Sequence, residues 1–439
     1  MSLEEAMNEV QVGLLGLVLV LVLFLTGIEL AFVMTLVGFV GFSYLRSLNA
    51  GFNLLAKDFF DVFASYGFTV IPLFVLMGQI AYNAGIAKRL YDASYKFIGH
   101  IPGGLAMATV AGATAFKAIC GSSSATAATF AVVAIPEMDR YNYGRKLSTG
   151  VVAVVGTLGV LLPPSVTLIV FGIITEQSIG KLFLAGLIPG LLIAAFFIVI
   201  IYCWCKIDPL MGPKGERSTW SERFKTIPEV MWVMLIFVLT IGGLMNGLFT
   251  PTEAGSVGTF AVLVLSLLKR DIGFKGYCKS VNESLQTACM VMVLIAGSQV
   301  LGHFLAVTRI PMIAADWIVS LPFPPWLTML GIIAIYLIGG SFIDDLAFMV
   351  LATPIFYPAI GKLGYDPLWF GIMIGITVMV GVVIPPVAIN VFIVRAVTRE
   401  SWNTIFAGVY PFLLSLAFVA ALLFVFPGLA TWLPNTLMK

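Results

Sequence analysis

Residues 159–171 read GVLLPPSVTLIVF, and residues 381–393 read GVVIPPVAINVFI. Each segment sets a proline pair in the middle of an apolar run. Proline lacks a backbone donor and collides with the preceding turn, so each pair breaks the helix that holds it. The break leaves carbonyls free on its N-terminal side and starts a second half-helix whose N-terminus is partly positive. Such carbonyls suit a cation, and such N–H groups suit a carboxylate. A lone kink would need no function, but matching breaks in the two halves of one chain point to a built site.

The surrounding 439 residues are 60% hydrophobic and 10% charged, with a net charge of +2. Soluble domains carry about 25% charged residues, so the surplus apolar surface is expected to face lipid. No basic-aromatic patch suggests a nucleic-acid partner. The opening MSLEEAMNEV lacks a positive n-region and a small-residue cleavage site, so the first apolar run is expected as a retained span. Cys120, Cys203, Cys205, Cys278 and Cys289 lie in or beside apolar runs and are expected as free, buried thiols without a metal role.

Single spans are predicted at 12–25, 30–45, 68–81, 150–171, 182–203, 230–248, 254–268, 288–307, 368–394 and 405–426. Two further stretches, 102–136 and 325–358, are too long for one span and are interrupted near their middles by small or polar residues. That is the pattern of a re-entrant hairpin, whose turn is buried in protein. Cations support this. Lys88, Arg89 and Lys96 precede the first hairpin, and Arg140, Arg145 and Lys146 follow it, so both its ends are expected in the cytoplasm. Lys206, Lys214, Arg217, Arg223 and Lys225 mark a cytoplasmic connector, as do Lys269, Arg270, Lys275 and Lys279 for a later loop and Arg395 and Arg399 for another. Counting crossings puts the second hairpin's ends, flanked mainly by Arg309 and Lys362, outside. Both termini then fall outside, in keeping with Glu4, Glu5 and Glu9.

The halves repeat in the same element order, with residues 121 to 136 echoed by 339 to 354. Because the hairpins open to opposite faces, the repeats are inverted. Residues 1–205 form the first, 206–228 the connector and 229–439 the second. The expected fold is an all-α polytopic membrane protein of two inverted repeats, each with a re-entrant hairpin and a Pro-Pro-broken helix. That pattern belongs to secondary transporters and places the site near the bilayer midplane. Within the connector, TWSERFK suggests a helix lying on the headgroups.

The first hairpin turns at Cys120-Gly121-Ser122-Ser123-Ser124-Ala125-Thr126. Small residues also serve close helix crossings, but three adjacent serines at a reversal expose hydroxyl and carbonyl oxygens that suit Na⁺. The second turns at Gly339-Gly340-Ser341-Phe342-Ile343-Asp344-Asp345. Each carboxylate there costs about 2.5–3.5 kcal/mol on insertion scales, which a bound cation or proton offsets; a mouth-exposed pair is the alternative. Lys117, before the first tip, either meets an anionic substrate, snorkels or pairs with an acid. Glu29 and Glu253 are expected at helix starts. An intramembrane hydrolase would need a general base near a tip serine, and the two histidines, His100 and His303, lie on other segments.

At these motifs the chain resembles the large membrane subunit of the tripartite ATP-independent periplasmic (TRAP) transporters, over nearly its whole length. GSSSATAAT from Gly121, GTLGVLLPPS from Gly156, SIGKLFLAGLIPGLL from Ser178, FTPTEAG from Phe249 and the second hairpin with its Pro-Pro carry the likeness. The resemblance implies an elevator-type, sodium-coupled importer of carboxylates in the bacterial inner membrane, akin to the ion transporter superfamily. A small four-helix membrane subunit and a periplasmic binding protein are its implied partners, with Na⁺ as coupling ion. The family's sodium positions carry over to Ser122, Ser123, Gly156, Thr157, Val160 and Pro163 in the first half. In the second half they carry over to Gly340, Asp344, Gly381 and Ile384. Candidate substrate contacts are Ser124, Thr126, Lys117, Ser165 and Asn390. Ser124, Lys117, Asp345 and Arg309 depart from the family pattern and bear on which acid is carried. The competing transporter class is a stand-alone divalent-anion symporter without accessory subunits.

Overall fold

The computed structural model describes residues 3–438, with side chains from Glu9 onward, so the side chains of Glu4 and Glu5 lie outside it. All regular structure among the described residues is helical. Helices α1 (Leu3–Leu25), α2 (Leu30–Leu45), α3 (Leu48–Ala64), α4 (Val70–Asn83) and α5 (Ile86–Ile98) lead into a hairpin of α6 (Gly104–Lys117) and α7 (Ser123–Arg140). The broken helix α8 (Arg145–Thr157) and α9 (Val166–Ile174) follows, then α10 (Ile179–Ile207). In the second half α11 (Trp220–Phe237) runs through a widened π turn at Val238–Gly242 into α12 (Gly243–Met245). Next come α13 (Pro251–Leu268), α14 (Phe274–Thr308) and α15 (Ile310–Ser320). The second hairpin is α16 (Pro325–Phe342) with α17 (Asp345–Lys362), and the second broken helix is α18 (Pro367–Gly381) with α19 (Ile389–Thr398). Helices α20 (Trp402–Val425) and α21 (Gly428–Leu437) complete the chain. Among the described residues, seven helical segments are long and apolar enough to cross a membrane by themselves.

Both hairpins and both breaks stand where the sequence predicts them. The reversals are made locally. At the first tip, Ser122 caps α7, its Oγ accepting from the Ala125 N–H at 3.2 Å. At the first break, Ser165 caps α9, its Oγ accepting from the Leu168 N–H at 3.2 Å. A serine cap contributes about 1 kcal/mol over alanine and satisfies donors that lipid would not. Both proline pairs, Pro163-Pro164 and Pro385-Pro386, are joined by cis peptide bonds.

The two halves interlock reciprocally. Helix α2 packs on α14, and its counterpart α13 packs on α4. Helix α7 packs on α19, and α17 on α9. Helix α8 packs on α20, and α18 on α10. Each contact thus occurs twice with the halves exchanged, as a two-fold-related pair of repeats requires. The contacts sort the helices into two groups. One holds α1–α4 and α11–α14. The other holds the hairpins, the broken helices, α10, α20 and α21.

Four helices escape the sequence prediction: α3, α5, α15 and α21. Helix α5 contains Lys88, Arg89, Asp92 and Lys96, yet it buries Ile86, Ala87, Leu90, Tyr91 and Ala93 along one side. It joins the first hairpin to the other group. Arg89 meets Glu229 at 3.1 Å and Asp271 at 2.7 Å, and Lys269 meets Glu229 at 2.7 Å. The Arg223 Nε also donates to the Lys96 carbonyl at 3.1 Å. Half-exposed pairs of this kind orient α5 more than they stabilise it.

TWSERFK is not a separate surface helix. Thr219 and Glu222 form a capping box that opens α11, which continues directly into the span. The connector therefore ends about Thr219 rather than at residue 228. The five thiols are free, but only Cys120 and Cys205 are buried; Cys203, Cys278 and Cys289 are exposed on outward helix faces. Apolar surroundings in sequence do not distinguish a lipid-facing position from a core one. Glu253 forms a capping box with Thr250 at the start of α13, whereas Glu29 precedes α2 without a side-chain cap. His303 bonds Asp58 across α14 and α3, at 2.9 Å.

Candidate functional site

Where the two groups meet, the hairpin tips, the two broken helices, α4 and α14 enclose a chamber of about 440 Å³. Its walls include Gly121, Ser122, Ser123 and Ser124 of the first tip, and Asp344, Asp345 and Leu346 of the second. Val166 and Thr167 open α9, and Ile389 and Asn390 open α19; all four line it. The N-termini of α7, α9, α17 and α19 therefore converge on one space. Each helix N-terminus carries roughly half a positive charge, so the chamber offers converging N–H groups to an anion. Asp344 and Asp345 add two carboxyl groups at the start of α17, where negative charge is favoured.

The junction between each tip and its own break is backbone on backbone. In the first half a methyl group on Gly121 would overlap the Pro164 carbonyl oxygen. In the second, a methyl on Gly381 would lie 2.7 Å from the Gly340 carbonyl group. The Val387 N–H donates to the Ser341 carbonyl at 3.1 Å, and the Asn390 N–H to the Val382 carbonyl at 3.2 Å. Ile384 sits in this second break, its N–H donating to the Val380 carbonyl at 3.2 Å.

The predicted site residues divide by position. Ser122, Ser123, Ser124, Asp344 and Asn390 line the chamber. The Asn390 Nδ2 also donates to the Ala153 carbonyl at 3.2 Å, tying α19 to α8. Gly156 lies behind the first tip, where a Cβ would stand 2.9 Å from the Ser123 carbonyl oxygen. Thr157, Val160 and Pro163 are buried beyond it and do not reach the chamber.

Three predicted substrate contacts turn away from the chamber. Ser165 is fully buried, its hydroxyl donating to the Val160 carbonyl at 2.6 Å while it caps α9. Thr126 is fully buried and donates to the Ser122 carbonyl at 2.9 Å. Lys117 is fully buried and its Nζ donates to the same carbonyl at 2.7 Å. Serine and threonine near unpaired backbone commonly bond that backbone instead of a ligand. Arg309 is exposed at the α14–α15 junction, also away from the chamber.

Sequence reasoning missed Gln79 on α4, Thr287 on α14 and Thr167 on α9, all of which line the chamber. Gln79 had a signal, because it is the polar residue inside the apolar run 68–81. Gly78 beside it allows close approach: a Cβ there would stand 3.4 Å from the Cys120 Sγ of the first tip.

The family model described as tripartite ATP-independent periplasmic transporter, DctM component, matches residues 17–429. The chain is 34% identical to the C4-dicarboxylate TRAP transporter large permease protein DctM of Pseudomonas aeruginosa, over 87% of this chain and 90% of that one. It is 32% identical to the sialic acid TRAP transporter large permease protein SiaM of Vibrio cholerae, over 90% and 93%. Among solved structures, the YdaH transporter of Alcanivorax borkumensis shares the fold, with a TM-score of 0.62, 14% identity, and coverage of 87% of this chain and 89% of that one.

Proposed function

We propose, from the premise that this chain belongs to the DctM component family of tripartite ATP-independent periplasmic transporters, that it is the permease of a sodium-coupled importer of small carboxylates. The observation that carries this reading is the single chamber shared by both hairpin tips and both second half-helices. Its four helix N-termini suit a carboxylate, and the Asp344 carboxylate suits a hard cation such as Na⁺. An anion and a cation held in one low-dielectric space attract each other strongly. Each then raises the affinity for the other, which is the thermodynamic content of symport.

The motion we propose is an elevator. The hairpins and broken helices, with Asp344, Ser122, Ser123, Ser124 and Asn390, travel past α4 and α14. Alternating access then follows from carrying the chamber across a fixed wall. In this reading, residues 1–205 and the chain from Trp220 onward are the inverted repeats, and the connector from Lys206 to Thr219 lies in the cytoplasm. Both termini face the periplasm and the protein spans the inner membrane. A small four-helix subunit packs on the fixed helices, and a periplasmic binding protein delivers the substrate. The two relatives named above carry a C4-dicarboxylate and sialic acid, both carboxylic acids, which supports this substrate class.

The test is uptake into proteoliposomes holding this chain and the small subunit, with the binding protein and labelled organic acids added outside. An inward Na⁺ gradient is expected to raise the initial rate at least about tenfold over an equal K⁺ gradient, since only a coupled ion adds driving force. Rates indifferent to Na⁺ would overturn the coupling. Full uptake by this chain alone would favour the stand-alone symporter.

A further inference from the structure

Lys117 ends α6 one turn before the first tip, and it is fully buried. Its ammonium does not enter the chamber. A methyl on Gly159 would overlap the Lys117 Nζ and stand 3.0 Å from its Cε, so the ammonium is wedged between the first tip and the turn of the first break. Its hydrogen-bond partner among the described residues is the Ser122 carbonyl, at 2.7 Å.

This is the space that free carbonyls of the first tip and first break would offer to a cation. Three of those carbonyls are already engaged. The Ser122 oxygen accepts from Lys117 Nζ and from Thr126 Oγ1 at 2.9 Å, which uses both of its lone pairs. The Val160 oxygen accepts from Ser165 Oγ at 2.6 Å, and the Leu158 oxygen from the Leu162 N–H at 3.0 Å. With the Lys117 ammonium in that space, the first half does not fit a second cation such as Na⁺.

We infer that Lys117 is a tethered cation, lodged in the first-half ion pocket in place of a dissociable Na⁺, and that the second half alone binds the coupling ion. The internal repeat supports this. The starts of α7 and α17 at Ser123 and Asp345, and the breaks from Gly159 and Gly381, share an offset of 222, which pairs Lys117 with Gly339. The second hairpin thus has no ammonium at the matching position. It has instead an additional acid, Asp345, in the chamber wall. An ammonium that never leaves contributes no gradient energy, so the chain couples transport to fewer ions than two open pockets would allow.

This inference rests on the sodium reading above, and the experiment separates the two. Thermal shift of the purified permease complex is measured in NaCl against KCl at equal ionic strength, for wild type, Lys117→Ser and Asp344→Ala. Lys117→Ser vacates the pocket and is expected to raise the Na⁺-specific shift above wild type by roughly 3 °C, the size of one added site near saturation. Asp344→Ala is expected to abolish the wild-type Na⁺ shift, because the first half holds no exchangeable ion. A folded Lys117→Ser variant with the wild-type response overturns the inference. A Na⁺ shift that survives in Asp344→Ala also overturns it, and needs no Lys117 variant. If wild type ignores Na⁺ but Lys117→Ser responds, the coupling reading fails while the tethered cation stands. Silence in both discards the two together.

Discussion

Gly78→Cys, oxidised in a background where Cys203, Cys205, Cys278 and Cys289 are serine, is expected to stop transport entirely, and reduction is expected to restore it. A Cβ at residue 78 would stand 3.7 Å from the Cys120 Cβ and 3.4 Å from its Sγ. A disulfide requires Cβ atoms about 3.5–4.5 Å apart, so the native Cys120 is already in position. The new side chain meets only ordinary van der Waals contact, and the reduced variant is expected to fold and transport. Gly78 belongs to α4 in the wall, and Cys120 belongs to the first tip. If the tips travel past the wall, one covalent bond between them freezes the cycle. The check is uptake by reconstituted protein before oxidation, after quantitative cross-linking confirmed by thiol labelling, and after reduction. Undiminished uptake by fully cross-linked protein would mean that the first tip never leaves α4, and the elevator would have to be given up.

The parts of this machine that break a rule were legible in the sequence. Pro163-Pro164, Pro385-Pro386, the serine tip and the Asp344-Asp345 pair each set backbone or charge where lipid forbids it, so each required an explanation before any coordinates. The parts that obey the rules were not legible. Helices α3, α5 and α15 are short or carry charges along one face, and a search for uniform apolar runs passes over them. Gln79 and Thr287 are single polar residues on otherwise ordinary spans, and sequence does not say which way a helix is turned. Ser165 and Thr126 mark the opposite limit. Composition correctly drew attention to their neighbourhood, yet a hydroxyl beside a helix end satisfies the nearest backbone group first. Lys117 combines both lessons. Its oddness was visible, but only packing against Gly159 and the Ser122 carbonyl tells which side of the tip the ammonium occupies.

Glycine substitutions at two kinds of close approach are expected to separate function from folding. Gly121→Ala pushes the first tip off Pro164, and Gly381→Ala pushes the second break off Gly340. Overpacking of this kind costs about 1–3 kcal/mol, which is about 5- to 150-fold in an equilibrium. Because Gly121 lies in the loop of the first tip, and Gly340 and Gly381 lie at the ends of α16 and α18, the strain falls on the geometry of the site. Uptake is therefore expected to fall ten- to a hundredfold, roughly that same energy, with little loss of thermal stability. Gly150 is the contrast. It lies on α8 where a methyl would overlap the backbone of Gly408 on α20, a crossing of two helices outside the chamber lining. Helix pairs in membranes gain their association from such close backbone approach, so Gly150→Ala acts on assembly of the fold. It is expected to lower the melting temperature and the folded yield, while uptake per folded molecule stays close to wild type. Size-exclusion yield, thermal melts and uptake normalised to folded protein decide the matter. If Gly121→Ala and Gly381→Ala lost stability as Gly150→Ala does, the tip–break junctions would be structural crossings, and the chamber would lose its claim to be a separately tuned site.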